Sequence, residues 1–248
     1  MSLAVIGGSG LYDLAELSAR RERRVMTAWG EPSAAVVSGR LGGHEVMFLA
    51  RHGAGHRFPP HKVNYRANVA ALQALGATAI VGTAAVGGIG PATGAIVVPH
   101  DLIDYTWGRE HTYSDGSQAT PQHVDFTAPY APALRAALLA AAAHAQIAVI
   151  DGGVYGATQG PRLESAAEVD RLERDGCTLV GMTGMPEAGL ARELGIDYAN
   201  ISLVVNAAAG RADGPITMAE IERELAGGMN RIRAIIAALA AGWNACTR

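Results

Sequence analysis

Short apolar runs alternate with longer stretches of helical periodicity along most of the chain. Runs rich in β-branched residues predict strands at residues 3–6, 35–37, 46–49, 78–81, 95–98, 178–180 and 201–205. Apolar residues three and four positions apart predict helices at residues 62–75, 131–145, 164–174, 186–194 and 217–241. This alternation predicts an α/β fold in which a mixed or largely parallel central β-sheet is flanked by α-helices.

The last predicted helix has the clearest start signal. Thr217 and Glu220 have the spacing of a capping box, in which each side chain bonds the backbone N–H of the other residue. Six apolar residues then recur on one side of the helix: Ile221, Leu225, Ile232, Ile235, Ile236 and Leu239. We therefore expect this helix to cover the sheet.

Length and charge limit the kinds of protein that the chain can be. With 248 residues, of which 49% are hydrophobic and 17% charged, the chain can bury a substantial core, and we expect one domain over residues 1–248. The net charge of −3 and the lack of a Lys/Arg run argue against a nucleic-acid partner. A long polar segment at residues 108–132 is of the kind that often carries function or subunit contacts.

The compartment is predicted from cysteines and apolar segments. Cys177 and Cys246 are the two cysteines, and they have neither metal-ligand spacing nor the number needed for a disulfide framework. The chain begins with strand-like residues and not with a charged, then apolar, leader. The most apolar window, residues 134–150, is interrupted by Arg135, His144 and Gln146, so we expect no membrane span and a cytoplasmic protein.

Two predicted strands end in residues suited to bind an anion. Gly7-Gly8-Ser9-Gly10 follows the first strand, where glycines expose backbone amides and Ser9 adds a hydroxyl, although a simple tight turn explains the same residues. Arg51 and His52 end another strand: arginine can clamp a phosphate with two bonds, and histidine can donate to a further oxygen. A surface ion pair would also explain Arg51. We expect His56 and His61, further along, to be ordinary loop residues.

Two further segments present small or hydroxyl side chains. Thr83-Ala84-Ala85-Val86-Gly87-Gly88 is interpreted as a glycine-rich turn after residues 78–81, with close packing as the alternative. Thr183 precedes the predicted helix at residues 186–194, so its hydroxyl could cap that helix or face an oxyanion near the positive end of the helix dipole.

A carboxylate and a carboxamide are placed to recognise a heterocycle. Glu164 is predicted at a helix start, where the dipole alone favours an acid, and Asn206 ends an apolar strand, where it could also form a turn. Together the two side chains match the ring N–H and carbonyl of a 6-oxopurine. Met182 and Met218 are interpreted either as core residues or as pocket walls.

In this order, these motifs resemble the trimeric purine nucleoside phosphorylase and methylthioadenosine phosphorylase family over residues 4–240. They are Gly7-Gly8-Ser9-Gly10, Arg51-His52-Gly53, Val63-Asn64-Tyr65-Arg66-Ala67-Asn68, Gln159-Gly160-Pro161-Arg162 and Met182-Thr183-Gly184-Met185-Pro186-Glu187. Arg109-Glu110-His111-Thr112-Tyr113 and Ile216-Thr217-Met218-Ala219-Glu220 are most similar to the bacterial branch that acts on S-methyl-5′-thioinosine. The resemblance implies a nucleoside phosphorylase fold and phosphorolysis of a purine nucleoside.

The resemblance also implies a role for each site residue. Phosphate would be held by Ser9, Arg51, His52, Ala84, Ala85 and Thr183. The nucleoside would contact His123 of a neighbouring subunit, Leu163, Glu164, Met182, Asn206, Ala208 and Met218. Glu164, Asn206 and His52 would be the catalytic residues, with inorganic phosphate as co-substrate and no metal or organic cofactor. The assembly would be a homotrimer, or a hexamer of two trimers.

Three positions depart from the pattern of many relatives or discriminate between bases. Ala84 lacks the hydroxyl or amide that several relatives carry, so only its backbone can donate. Leu163 replaces an aromatic ring that would stack on the purine. Asn206 stands where adenine-specific relatives tend to have aspartate. With Glu164 it favours hypoxanthine or guanine, because Glu164 accepts from N1–H, a proton that neutral adenine lacks.

Alternatives remain for the 5′ substituent of the substrate and for the class of reaction. Met218 falls near the position where ordinary purine nucleoside phosphorylases offer a histidine to the 5′-hydroxyl, and a thioether suits a methylthio group better. General activity on inosine and guanosine, or activity on methylthioadenosine, are the alternatives. A nucleosidase that uses water, or an inactive nucleoside-binding protein, is the competing interpretation from outside the phosphorylases.

Overall fold

The computed structural model describes residues 2–116, 120 and 122–243. Eleven strands and five α-helices lie within these residues. The strands are β1 (Ser2–Gly7), β2 (Ser18–Arg23), β3 (Val36–Leu41), β4 (His44–Ala50), β5 (Ala77–Gly88), β6 (Ile96–Val98), β7 (Asp101–Asp104), β8 (Ile150–Asp151), β9 (Val154–Ala157), β10 (Leu179–Gly181) and β11 (Asp197–Ala207). The helices are α1 (Tyr65–Ala74), α2 (Pro132–His144), α3 (Ala166–Arg174), α4 (Gly184–Glu193) and α5 (Met218–Gly242).

The strands form one mixed sheet, as the alternation of elements predicts. Its main path runs β2-β3-β4-β1-β5-β10-β9-β7, while β11 pairs with β5 and β6, and β6 pairs with β8. The central strands β4, β1, β5 and β11 are parallel, whereas β2, β3 and β4 pair antiparallel. The parallel centre directs the carboxyl ends of four strands to one edge of the sheet.

Helices cover both faces of the sheet. Alternate residues of β1 show why, because Leu3 and Val5 join the core beneath α2 and α5, while Ala4 and Ile6 join the core beneath α1 and α4. A strand that buries both faces must be apolar throughout, so β1 has a continuous apolar run. The α/β class with a mixed sheet and flanking helices is confirmed.

All seven predicted strands and five predicted helices have counterparts, and four strands were missed. The edge strand β2 has the sequence SARRER and is exposed along its whole length, so it has no apolar alternation to find. It forms because β3 offers a free edge for pairing. The other three, β7, β8 and β9, are two to four residues long.

The predicted turn at Thr83-Ala84-Ala85-Val86-Gly87-Gly88 is wrong. These residues continue β5, a strand of 12 residues that pairs with β11 along its length. The glycines mark close packing: a Cβ at Gly82 would lie 2.0 Å from the hydroxyl of Tyr198, and one at Gly88 would lie 2.1 Å from the carbonyl oxygen of Pro91. Small residues allow β5 to pass through the crowded centre of the molecule.

Two capping boxes begin helices. The predicted box of Thr217 and Glu220 is present at the start of α5. A second box, formed by Ser165 and Glu168, begins α3 and was missed. It moves the helix start beyond Glu164, which lies one residue before the N-cap and not within the helix.

Helix α5 is buried against the sheet from Gly228 onward. Ile232, Ile235, Ile236 and Leu239 are buried in the core. Ile221 and Leu225, nearer the start, are only partly buried and line a cavity. The six apolar residues on one side therefore serve two purposes, which their common period does not distinguish.

Among the described helices, none combines the length and the apolar character needed to cross a membrane. Cys177 is buried and free, and Cys246 lies outside the described residues. Residues 117–119 and 121 of the long polar segment also lie outside them.

Two neighbouring glycines of α5 should respond oppositely to alanine. A Cβ at Gly228 would lie 2.3 Å from the buried side chain of Leu203, whereas nothing lies within 4 Å of a Cβ at Gly227. Gly228→Ala should lower the free energy of unfolding by about 1–3 kcal/mol through overpacking. Gly227→Ala should raise it by about 0.5–1 kcal/mol, because alanine favours the helix. Urea unfolding of both variants measures the two effects, and equal shifts would contradict this packing of α5 on β11.

Candidate active site

A cavity of about 680 Å³ opens at the carboxyl ends of the central strands. Parallel α/β sheets usually bind ligands at this edge. Twelve of the 13 predicted site residues line the cavity: Ser9, Arg51, His52, Ala84, Ala85, Leu163, Glu164, Met182, Thr183, Asn206, Ala208 and Met218. The fold therefore brings together side chains that are almost 200 residues apart in sequence.

Arg51 follows β4 directly and is buried, with an exposed fraction of 1%. Its Nε and Nη2 donate to the two carboxylate oxygens of Glu187 at 2.8 and 2.7 Å, and its Nη1 donates to the backbone oxygen of Thr83 at 2.8 Å. Although burial opposes the charge, the Glu187 carboxylate raises the pKa of Arg51. The pair of N–H groups that was expected to clamp phosphate is thus bound to Glu187. Two of the five N–H groups of Arg51 remain for a ligand.

Glu187 is the most important residue that the sequence analysis missed. It lies in the first turn of α4, is 0% exposed, and also accepts a 2.7 Å hydrogen bond from the hydroxyl of Tyr198. A buried carboxylate with three donors is well compensated. The residue stands inside the quoted motif that runs from Met182 to Glu187, but its partners are distant in sequence, so spacing alone did not reveal its role.

The turn after β1 closes over this ion pair. The backbone N–H of Gly8 donates to the hydroxyl of Thr83 at 2.9 Å. A Cβ at Gly8 would lie 2.7 Å from Nη1 of Arg51 and 2.5 Å from the backbone oxygen of Thr83. Glycine is therefore required for close approach, and it leaves Ser9 on the cavity wall.

His52 is held in one tautomer. Its Nδ1 lies 2.8 Å from the backbone oxygen of Phe58, and a carbonyl oxygen can only accept, so Nδ1 carries the proton. Burial, followed by the charge of Arg51, lowers the pKa of His52 to about 3. The ring is therefore neutral at physiological pH and its Nε2 is an acceptor. The expectation that His52 donates to phosphate changes: it would instead receive the hydrogen of a protonated phosphate oxygen.

His56 lies over His52, contrary to the prediction of an ordinary loop residue. The two rings stack with centroids 4.1 Å apart, and His56 Nδ1 lies 3.3 Å from the hydroxyl of Tyr12. Tyr12 and His56 both line the cavity, whereas His61 does not. Aromatic rings thus form the wall on the side of His52.

Glu164 is oriented by a hydroxyl group. It lies one residue before Ser165, the N-cap of α3, and its Oε1 accepts a 2.6 Å hydrogen bond from Thr158. Thr158 also approaches the backbone oxygen of Gly181 at 3.3 Å. One carboxylate oxygen is thereby fixed and the other is left to accept from a ligand.

Asn206 belongs to β11 and not to a turn. The pairing register between β11 and β5 shifts between Val204 and Asn206, so the strand is irregular where it reaches the cavity. The Asn206 side chain donates from Nδ2 to the backbone oxygen of Ala207 at 2.7 Å. The second N–H and the amide oxygen remain available, as reading a donor and an acceptor on one ligand requires.

Met182 and Thr183 follow β10. A Cβ at Gly160 would lie 2.4 Å from the sulfur of Met182, so the glycine of the Gly160-Pro161-Arg162 motif allows the two segments to touch. Thr183 occupies the N-cap position of α4 without making a capping hydrogen bond, and its backbone N–H donates to Tyr155 at 3.3 Å. Its hydroxyl is therefore not committed to the helix.

One part of the cavity is apolar. Its lining includes Pro161, Ile216, Ile221 and Leu225 together with Leu163 and Met218. Leu163 and Met218 are 44% and 64% exposed, so both are wall residues and not core.

His123 is the predicted site residue that does not line the cavity of its own chain. It is exposed on the long segment between β7 and α2. Its expected contact with the nucleoside of a neighbouring subunit stays a prediction.

The neutral His52 should make stability depend on pH. Its pKa in the folded state lies below the ordinary value of about 6.5, so its contribution is complete above that pH and is lost as the pH falls towards 3. Between about pH 8 and pH 5, wild type should lose about 2 kcal/mol more unfolding free energy than His52→Gln. Urea unfolding at both pH values tests this, with His144→Gln on the exposed surface of α2 as the control. Parallel losses in wild type and His52→Gln would contradict it.

Comparison with known proteins identifies the family. Residues 2–241 match the model described as the phosphorylase superfamily. A probable S-methyl-5′-thioinosine phosphorylase of Pseudomonas syringae pv. tomato is 55% identical over 94% of this chain and 96% of its own length. The 6-oxopurine nucleoside phosphorylase of Pyrococcus furiosus is 44% identical, covering 88% and 84% respectively. Methylthioadenosine phosphorylase from Schistosoma mansoni in complex with adenine superposes with a TM-score of 0.93 at 30% identity, covering 98% of this chain and 92% of that chain. The chain belongs to the phosphorylase superfamily.

Proposed function

We propose that the chain catalyses phosphorolysis of 6-oxopurine nucleosides, with S-methyl-5′-thioinosine as the preferred substrate. The products are hypoxanthine and 5-methylthioribose 1-phosphate. One observation carries the proposal: the base-reading pair Glu164 and Asn206 lines the same cavity as the anion-binding group Ser9, Arg51, His52 and Thr183. A nucleoside and phosphate that react with each other need such a shared space.

The base is read by complementary hydrogen bonds. The free carboxylate oxygen of Glu164 accepts from N1–H of hypoxanthine, while the remaining N–H of Asn206 donates to O6 and its amide oxygen accepts from N7–H. Adenine has an amine at the 6-position and no proton on N1 in its neutral form. It would leave buried polar groups unpaired, which can reduce reactivity by about 10⁴-fold.

The reaction breaks the bond between C1′ and N9 as a phosphate oxygen bonds to C1′. The bonding electrons pass to the purine, which takes up at N7 the proton that the HPO₄²⁻ nucleophile gives up, and positive charge develops on the ribose while the bond stretches. Phosphate is therefore both nucleophile and electrostatic partner. Asn206 holds the purine as its electron density rises, an interaction stronger in the transition state than in the substrate. Loss of one such hydrogen bond typically lowers the rate by about 10²–10³-fold.

The phosphate end combines a fixed cation with a neutral acceptor. Arg51 keeps its charge because Glu187 raises its pKa, and it has two N–H groups free for phosphate oxygens. His52 accepts the hydroxyl hydrogen of a phosphate oxygen, while Ser9 and Thr183 supply hydroxyl groups. Backbone groups of Ala84 and Ala85 complete this end, and no metal or organic cofactor takes part in the proposed step.

The 5′ substituent would occupy the apolar part of the cavity. Met218, Ile221 and Leu225 come from the first turns of α5, and Leu163 faces the same space. A methylthio group gains from burial against these side chains, whereas a hydroxyl group would lose water without a charged or hydroxyl partner from them. The name of the Pseudomonas syringae relative agrees with this preference.

Two extensions of the proposal concern the assembly and the substrate range. We propose a homotrimer, or a hexamer of two trimers, in which His123 reaches the nucleoside of a neighbouring subunit. General activity on inosine and guanosine is the second candidate, favoured by the 44% identity to the 6-oxopurine nucleoside phosphorylase of Pyrococcus furiosus.

A substrate panel tests the proposed reaction. With phosphate present, kcat/KM should be higher for S-methyl-5′-thioinosine than for inosine, guanosine, adenosine or methylthioadenosine, because only the first matches both Glu164 and the apolar 5′ space. Product analysis should give hypoxanthine and the sugar 1-phosphate. Equal or higher efficiency with inosine would refute the 5′ assignment. Cleavage that continues without phosphate would indicate a nucleosidase, and tight binding without turnover an inactive binding protein.

Base preference should change with Glu164 and Asn206. The double variant Glu164→Ser with Asn206→Asp should lower kcat/KM for 6-oxopurine nucleosides by about 10²-fold or more and raise the relative rate on adenine nucleosides. The control, Glu45→Ser with Asn230→Asp, makes the same changes at exposed positions outside the cavity. Steady-state kinetics with inosine and with adenosine give the ratio of the two kcat/KM values. An unchanged ratio in the site variant would show that these residues do not read the base.

A further inference from the structure

Arg109 is a buried cation whose hydrogen bonds, among residues 2–116, 120 and 122–243, all go to uncharged groups. It is 8% exposed and lies on the long segment after β7. Its Nη1 donates to the backbone oxygens of Met182 and Met185 at 2.8 and 2.7 Å. Its Nη2 donates to the backbone oxygens of Thr158 and Gln159 at 3.1 and 2.8 Å, and its Nε donates to the Gln159 side chain at 3.1 Å.

The two segments that Arg109 joins both lead into the cavity. Residues 158–164 begin with Thr158, which orients the Glu164 carboxylate, and residues 182–185 carry Met182 and Thr183. A single planar side chain thus binds four backbone carbonyl groups, two in each of the segments that lead to the proposed nucleoside site. Only a guanidinium has enough donors in a fixed plane to do so.

The surroundings hold Arg109 itself in place. Nη1 also donates to the hydroxyl of Tyr65 at 3.3 Å, and Cζ of the guanidinium lies over that ring, 5.6 Å from its centre. The side chain of Gln159 accepts a second hydrogen bond, from the backbone N–H of Trp107 at 3.1 Å. These contacts fix the position of the guanidinium between the two segments.

We propose that Arg109 is a positioning residue for nucleoside recognition, setting the spacing between Glu164 and the Met182-Thr183 backbone. The inference rests on the proposed function, since it takes Glu164 and Met182 to contact the nucleoside. A buried charge without a carboxylate partner is costly unless its hydrogen bonds are needed. Arg109 does not contact Ser9, Arg51 or His52, so its loss should affect the nucleoside much more than phosphate.

The experiment compares Arg109→Lys and Arg109→Met with a matched control, Arg135→Met. Arg135 also donates to backbone oxygens, those of Val98 and Pro99, but it lies away from the cavity and pairs with Asp151. Each variant is assayed for KM of nucleoside and of phosphate, kcat, thermal unfolding, and hypoxanthine affinity by calorimetry.

We expect both Arg109 variants to lower kcat/KM for the nucleoside by about 10²-fold and to weaken hypoxanthine binding, with KM for phosphate within about threefold of wild type. Lysine should not rescue, because it keeps the charge but cannot reach both segments. Arg135→Met should change stability without changing either KM. If Arg109→Met does not fold, Gln159→Leu, which removes one of the bonds, should weaken hypoxanthine binding in the same direction.

Three results would overturn the inference: unchanged hypoxanthine affinity, equal changes in both KM values, or full rescue by lysine. A loss of thermal stability alone, like that expected of the control, would show a merely structural role. The proposed function is decided separately by wild type. If wild type binds hypoxanthine but cleaves no nucleoside, that proposal fails, and the calorimetric comparison still decides the role of Arg109.

Discussion

The buried ion pair between Arg51 and Glu187 is the interaction on which the site depends. It joins the end of β4 to the first turn of α4, and the third bond of Arg51 reaches Thr83 on β5. Removing one partner of such a pair leaves an uncompensated buried charge, which typically costs about 3–5 kcal/mol. The end of the cavity that we propose binds phosphate is therefore ordered before any ligand arrives, and Arg51 is held charged by a buried partner.

The rest of the cavity shows the same principle with uncharged groups. Phe58 fixes the tautomer of His52, Thr158 holds one oxygen of Glu164, and the backbone of Ala207 orients Asn206. Each contact uses up one donor or acceptor and leaves a defined one for the ligand. Preorganised groups of this kind need no reorganisation when charge develops during reaction. The apolar residues at the start of α5 line the same cavity.

Sequence patterns located most elements because the buried strands and amphipathic helices have a period that can be read locally. They failed for β2, where strand pairing and not composition decides, and for the second half of β5, where small residues suggested a turn. Of the 13 site residues predicted from motifs and resemblance, 12 line one cavity. Glu187, Arg109 and Thr158 received no role, because their importance comes from contacts that no spacing encodes: Arg51 and Glu187 are 136 residues apart.

The sequence by itself determined the α/β class, the chemistry available at each strand end, and the family resemblance, because periodicity and residue type are local properties. Only the tertiary structure decided which groups are already committed. It gave the bidentate face of Arg51 to Glu187, left His52 neutral as an acceptor, and placed Glu164 outside the helix that was expected to explain it. Hydrogen-bond capacity and charge are shared between residues that meet through folding, so what remains for a ligand depends on three-dimensional contacts.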